Sequence, residues 1–406
     1  MRVYRDLFAH PEARWPLVAS IISRLTPGMI ALAIVLLMRG AGYGYAAAGL
    51  VTSAHHIGVG IGAPVQGRLA DRIGQARLLV PDAVLYAGGT IVLALLATGG
   101  GPVPGAAGSV PVPLLVGVAV VSGLFLPPVT ACSRVLLSRL FPTGREREAA
   151  FAVSSIAVEL GFVLGPLAAA AINTRLGGGV AVAVAGIIAM IGALGYAATG
   201  AARAVPPRFH AVGVGGALRS PGIRVMVLAF GCIAVVFGVI DIVVPAVAEL
   251  AGSATDAGGL LASIAGGSLL GGLVYGARSW PGTLPQRLRV LVVVMTVGLA
   301  LLPLALGSLT TFGIALFVGG LFLAPTTICA FQLIDDLALA GTQTEAQSWT
   351  QSAVVFGVAA GAALSGAAVD VRGPALALLA GAGCVALGAL VINVGAPRLR
   401  GAPAAR

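Results

Sequence analysis

Twelve apolar runs of about 20 residues, each bounded by Arg, Pro or Gly, fill most of this sequence. A run of that length crosses the hydrocarbon of a bilayer as an α-helix, because a helix satisfies its backbone hydrogen bonds internally. Only 9% of the side chains are charged, whereas a soluble domain has roughly 25%. The sequence therefore predicts an all-α integral membrane protein with twelve transmembrane helices. The predicted spans are 16–38, 45–66, 77–98, 112–134, 149–172, 179–200, 223–248, 257–277, 289–307, 311–334, 348–369 and 374–395.

The basic residues, all of them Arg, predict the orientation of these spans. With the N-terminus in the cytoplasm, 20 of the 24 fall in the two tails and in the loops on the cytoplasmic side. Arg39, Arg175 and Arg372 fall on the other side, and Arg24 lies within a span. This asymmetry satisfies the positive-inside rule with both termini cytoplasmic. It also accounts for the net charge of +10 without a nucleic-acid partner. The preference for Arg, Ala, Gly and Pro indicates a high-GC bacterium, so we expect the inner (plasma) membrane.

An internal repeat predicts two similar halves. The ten residues Gly123–Cys132 match Gly320–Cys329 at seven positions, with an offset of 197. An offset that covers six spans preserves orientation, so the halves are parallel repeats. We predict a six-helix bundle at 1–200, a cytoplasmic linker at 201–222 and a second six-helix bundle at 223–406. Glycines four residues apart, such as Gly161/Gly165 and Gly357/Gly361, predict close contacts between helices.

A glycine- and arginine-containing motif follows the second predicted span. It contains Gly67, Asp71, Arg72, Gly74 and Arg77 in the order GRLADRIGQAR. The motif and its position resemble the signature of the major facilitator superfamily. The resemblance implies two bundles around a central cavity and transport by alternating access. It also implies that Asp71 caps the N-terminus of the eleventh helix, near 348, in the outward-open state, because an anion is stabilised at a helix N-terminus.

The fifth predicted span contains Gly161, Gly165 and Pro166 in the order GFVLGP. This resembles the antiporter motif of the same superfamily, although the two glycines that follow the Pro in that motif are absent. The chain is also similar to proton-coupled, efflux-type actinobacterial members. The resemblance implies proton-coupled efflux of a small amphipathic organic molecule.

Five ionisable residues fall within predicted spans: Arg24, His55, His56, Glu159 and Asp241. A charge at the bilayer centre costs roughly 2.5–3.5 kcal/mol on insertion scales, so we assign these residues to the substrate and proton pathway. We take Glu159 as the principal proton carrier. The alternatives are a static ion pair of Arg24 with Glu159, an outer gate at Asp241, and hydrogen-bonded packing of the histidines. Asp82 is expected at the solvated cytoplasmic edge.

The sequence shows no sign of a cofactor, a metal site or enzyme chemistry. The four cysteines stand singly, without metal-binding or disulfide spacing. We expect a monomer whose partners are a small-molecule substrate, protons and the lipid bilayer. Two alternatives are open: uptake of a metabolite by symport or uniport, and a transport-inactive receptor or scaffold of the same fold.

Overall fold

The computed structural model describes residues 10–99, 110–141, 145–206, 216–278, 280–339 and 342–399, and every long element in these ranges is an α-helix. In chain order the helices are α1 (Pro11–Ser23), α2 (Leu25–Gly40), α3 (Tyr45–Ile73), α4 (Gln75–Ala97), α5 (Val112–Leu124), α6 (Val129–Leu140), α7 (Arg145–Leu176), α8 (Gly178–Ala197), α9 (Gly200–Arg203), α10 (Pro221–Leu250), α11 (Asp256–Ala277), α12 (Leu284–Leu301), α13 (Leu309–Gly320), α14 (Leu323–Leu337), α15 (Gln343–Arg372) and α16 (Pro374–Val394). Short 3-10 turns lie at Ala217–Arg219, Leu302–Ala305 and Ala396–Leu399.

The chain is a multi-pass membrane protein. In the part that the structure describes, eleven helical stretches are long and apolar enough to cross a bilayer. The second predicted span corresponds to α3, which has 29 residues but is not among the eleven. It holds His55 and His56, whose polar rings lower its hydropathy. The predicted all-helical membrane fold is confirmed.

Two predicted spans are broken near their middles. Span 112–134 consists of α5 and α6, and span 311–334 consists of α13 and α14. The first break falls at Pro127 and Pro128, which have no N–H to donate and disfavour helical backbone in the residue before them. Both breaks lie inside the ten-residue repeat, at Gly123–Cys132 and Gly320–Cys329.

The chain divides into two compact units. The first comprises 1–43 and 57–211, and the second comprises 44–56 and 212–406. The N-terminal part of α3 therefore belongs to the second unit, which the predicted halves did not anticipate. Parts of the predicted linker (207–215) and of the loop after α4 (100–109) lie outside the described residues.

Small residues bring helices together inside the first unit. A Cβ on Gly165 would lie 2.6 Å from the carbonyl carbon of Gly28, and one on Gly28 would overlap the carbonyl oxygen of Gly161. These contacts pack α7 directly against the backbone of α2. On the other side of the unit, the Tyr196 hydroxyl of α8 donates to the Gln75 Oε1 of α4 over 3.0 Å.

The second unit is packed in the same way. A Cβ on Gly361 would lie 3.0 Å from the carbonyl carbon of Val235, so α15 lies against α10 without an intervening side chain. A Cβ on Gly267 would lie 3.0 Å from the carbonyl carbon of Phe317, which places α11 equally close to α13. Close backbone approach replaces the hydrophobic effect as the source of helix association in lipid.

Candidate functional site

Arg24 lies between α1 and α2 and is 5% exposed. Its Nη2 donates to the Ser154 Oγ of α7 over 2.8 Å and to the Ser133 Oγ of α6 over 3.3 Å. Its Nη1 donates to the backbone carbonyl of Ser154. The guanidinium therefore joins three helices of the first unit through hydroxyl and carbonyl oxygens.

Glu159 lies near the middle of the 32-residue helix α7 and is half-buried. Gly161 faces the backbone of Arg24, where a Cβ would lie 3.1 Å from the carbonyl carbon. Residues two apart on a helix point roughly 200° away from each other, so Glu159 is directed away from Arg24. Among the described residues, Glu159 forms neither a hydrogen bond nor an ion pair. The static Arg24–Glu159 pair considered from the sequence is not present.

The side chains of His56 and Asp241, which are far apart in the sequence, approach each other inside the second unit. The His56 Nε2 is 3.6 Å from the Asp241 Oδ2, and the side chains are 20% and 23% exposed. The His55 ring meets the His56 ring edge-on at 5.9 Å and is 2% exposed. Adjacent helical residues point 100° apart, so only one histidine faces α10 directly. The structure thus brings three of the predicted pathway residues together.

The N-terminus of α3 is capped by a carboxylate from α15. Asp370 accepts the Tyr45 N–H at 2.9 Å through Oδ1 and the Ala46 N–H at 2.7 Å through Oδ2. These are two of the N–H groups that a helix start leaves without an intrahelical partner, and the carboxylate also meets the positive end of the helix dipole. A side chain at Gly44 would crowd it, with a Cβ 2.8 Å from Oδ2.

Two further contacts fix this end of α3 in the second unit. The Tyr45 hydroxyl donates to the Glu249 Oε2 of α10 over 2.6 Å. A Cβ on Gly49 would lie 3.1 Å from the Cα of Gly366, so α3 and α15 also touch through glycines. We call Tyr45, Glu249 and Asp370 the α3 clamp. Sequence reasoning missed it because Asp370 and Glu249 stand near predicted helix ends, where a carboxylate needs no special explanation.

The signature residues lie at the opposite end of α3. Gly67, Asp71 and Arg72 are helical, because α3 continues past the predicted end at 66 to Ile73 as an exposed helix end. Only Gly74, with φ of 94°, makes the turn into α4. Arg77 is exposed in the first turn of α4.

Asp71 is exposed and forms no hydrogen bond or ion pair with the residues that the structure describes. Its predicted capping role in the outward-open state stays a prediction. In the antiporter-like motif, Gly161 and Gly165 form the packing face described above, and Pro166 is a buried member of the continuous helix α7.

The prediction for Asp82 is wrong. Its side chain is 5% exposed, and its Oδ2 has no hydrogen-bond partner. The reason is that α4 starts at Gln75, so Asp82 lies about two turns inside the helix, where α4 packs against α8. Across the described part of the chain, no group of three His, Cys, Asp or Glu residues is arranged to hold a metal ion.

Comparisons with known proteins agree with this architecture. The nucleoside transporter NupG superposes with a TM-score of 0.72 at 12% identity, covering 94% of this chain and 99% of that one. The human organic anion transporter MFSD10 gives 0.64 at 14% identity, covering 96% and 99%. A peptide transporter POT mutant bound to alafosfalin gives 0.69 at 16% identity, covering 98% of each chain. At these identities the likeness establishes the fold alone.

No curated protein sequence is significantly similar to the chain. A family profile described as Major Facilitator Superfamily matches residues 17–361. That match covers most of the sequence and includes both the signature and the antiporter-like motif. The chain belongs to the Major Facilitator Superfamily of transporters.

Proposed function

We propose that this transporter exports a small amphipathic organic molecule in exchange for protons. The observation that supports the exchange is Glu159, a half-buried carboxyl group in the middle of a membrane helix, with no ionic or hydrogen-bonding partner among the described residues. A carboxylate in that position is costly when charged and unpaired, and a bound proton removes the cost. In each transport cycle Glu159 is exposed first to one side of the membrane and then to the other, so it takes up a proton from one side and releases it to the other.

The His56–Asp241 pair supports the same proposal from the second unit. Both side chains are partly exposed. In this proposal a proton exchanged at the pair changes the attraction between α3 and α10, which links proton binding to the position of α3. A permanently solvated surface pair has no such link. In this proposal Glu159 is the principal carrier, and His56 and Asp241 couple the proton to the conformational change.

Cells provide the direct test. The protein is expressed in an efflux-deficient bacterium, and the accumulation of a panel of fluorescent amphipathic compounds is measured with and without a protonophore. We expect lower accumulation of at least one compound in expressing cells, and the difference disappears when the protonophore collapses the proton gradient. Export that persists without a proton gradient contradicts proton coupling. Accumulation above the control level contradicts efflux and indicates uptake instead.

The Arg distribution supports a bacterial plasma-membrane orientation with both termini cytoplasmic. In this orientation the turn at Gly42, with φ of 86°, is external, and the turn at Gly74 is internal. Single cysteines are placed at these two turns in a variant that lacks the four native cysteines. In intact cells, a membrane-impermeant thiol reagent is expected to label the cysteine at Gly42 and to leave the cysteine at Gly74 unlabelled. If the cysteine at Gly74 is labelled and the cysteine at Gly42 is protected, the orientation is the opposite of the one proposed.

A further inference from the structure

The two broken spans are a feature typical of substrate-binding sites in transporters. The break between α5 and α6 and the break between α13 and α14 both fall within the internal repeat and overlap at Phe125 and its counterpart Phe322. In secondary transporters, paired interruptions of this kind mark substrate sites, because a half-helix start inside the membrane presents N–H groups and a positive dipole end. The two breaks differ in what surrounds them.

The first break has a cation beside it. Helix α6 starts after Pro128, which provides no side-chain cap for the helix N-terminus. One turn further along α6 is Ser133, which is 2% exposed and accepts a hydrogen bond from Arg24. Ser20, also 2% exposed, donates to the same hydroxyl over 3.3 Å. A half-helix start, a guanidinium and buried hydroxyl groups therefore meet in the first unit.

This guanidinium has no counter-ion in the described part of the chain. Arg24 is nine-tenths buried, and all three of its hydrogen-bond acceptors are neutral oxygens. Its Nε is buried without a hydrogen-bond partner, so at least one of the five N–H donors of the guanidinium makes no hydrogen bond. Arg134, the charged residue that acts on it electrostatically, is a second cation. A buried charge without a partner is strongly unfavourable, so an anionic group brought to this guanidinium by a ligand is stabilised.

The segment that holds the second break has no cationic residue of its own. Its buried polar residue is Thr326, whose hydroxyl already bonds to the Phe322 carbonyl at 2.7 Å and contacts the Met295 Sδ at 3.2 Å. The whole of Leu309–Leu337 contains no Arg, Lys or His. The groups suited to an anion therefore lie beside the first break, inside the first unit.

We propose that Arg24, together with Ser133, Ser154 and the N-terminal end of α6, binds the carboxylate or similar anionic group of the transported molecule. This rests on the proposed transport function and names the substrate class: an amphipathic organic anion. A guanidinium is suited to that ligand because its planar fork matches a carboxylate with two parallel hydrogen bonds.

The experiment measures ligand-dependent melting of the purified full-length protein at one fixed pH. The probes are benzoate, 4-phenylbutyrate and naphthalene-2-carboxylate, each compared with its neutral amide and with an amine of the same skeleton. We expect at least one acid to raise the melting temperature by about 3 °C or more, and its amide and amine to leave it unchanged. If no acid stabilises the protein, or if the amides stabilise it equally, the proposal is wrong.

Variants separate binding from structure. Arg24→Gln is expected to weaken binding of the stabilising acid by about tenfold or more, with Arg24→Lys intermediate because it retains the charge without the fork. Arg139→Gln, which removes an exposed Arg from the end of α6, should bind like the wild type. Without ligand, Arg24→Gln should melt close to the wild type, because removal of the uncompensated charge offsets the loss of its three hydrogen bonds.

A ligand-free Arg24→Gln protein that melts well below the wild type, while Arg24→Lys binds the acid normally, shows that Arg24 is structural and overturns the proposal. The binding assay uses no pH gradient. Proton coupling can therefore fail while anion binding is established, and anion binding can fail while coupling is established.

Discussion

Glu159→Gln is expected to abolish uphill, proton-driven export while leaving downhill exchange of the same compound near the wild-type rate. Gln keeps the size and hydrogen-bonding groups of Glu but cannot take up a proton. Glu159 has no Arg24 partner to lose, so the substitution removes titration without leaving a buried cation behind. The helix should therefore fold normally, and the defect should be specific to coupling.

The measurement uses proteoliposomes and one compound from the panel that the wild type exports. Uphill transport is driven by an imposed pH gradient, and exchange is followed with equal pH on both sides. Asp256→Asn is the matched control, because it removes an exposed carboxylate at the start of α11. Uphill transport by the Gln variant in response to the pH gradient rules out Glu159 as the carrier. Asp241→Asn is then the next variant to examine, since Asp241 already pairs with His56.

The membrane fold was predictable because its main constraint is local. A helix that crosses lipid must be apolar over about 20 residues, and that pattern can be counted along the chain. The glycine contacts were also predictable in part: Gly161/Gly165 and Gly357/Gly361 each pack against a neighbouring backbone. A spacing of four residues places both glycines on one face, so the helix contact follows from sequence.

The arrangement of the polar groups was not predictable to the same degree. His56 and Asp241 were identified singly as costly residues, but their pairing depends on how α3 meets α10. Ser133 and Ser154 carry no charge and were not noticed, because a serine in a membrane helix usually bonds its own backbone. The Arg24–Glu159 ion pair, which the sequence left open as an alternative, is absent for a geometric reason: the glycine face of α7 occupies the side next to Arg24.

The last prediction starts from the α3 clamp. It compares the C-terminal end of α3 with the C-terminal end of α15. Asp71 stands two residues before the end of α3, and Asp370 stands two residues before the end of α15. Each helix is followed by a glycine with positive φ, Gly74 at 94° and Gly373 at 80°. Asp370 caps the start of α3 in this structure, and Asp71 is the residue predicted to cap the start of α15 in the outward-open state. We therefore predict that the two carboxylates stabilise opposite states of one equilibrium.

Removing either cap should shift that equilibrium in opposite directions. A helix-terminus carboxylate contributes about 1 kcal/mol, which is roughly a fivefold change in the ratio of the two states. The reporter is Ser53→Cys in a variant without native cysteines, because Ser53 is 6% exposed in the α3 segment of the second unit. Labelling with an impermeant thiol reagent should rise about fivefold with Asp370→Ala and fall with Asp71→Ala. Asp370→Asn retains one acceptor oxygen and should lie between Asp370→Ala and the parent. If both Ala variants change the labelling in the same direction, the carboxylates do not act on opposite states, and Asp71 only shapes the turn at Gly74.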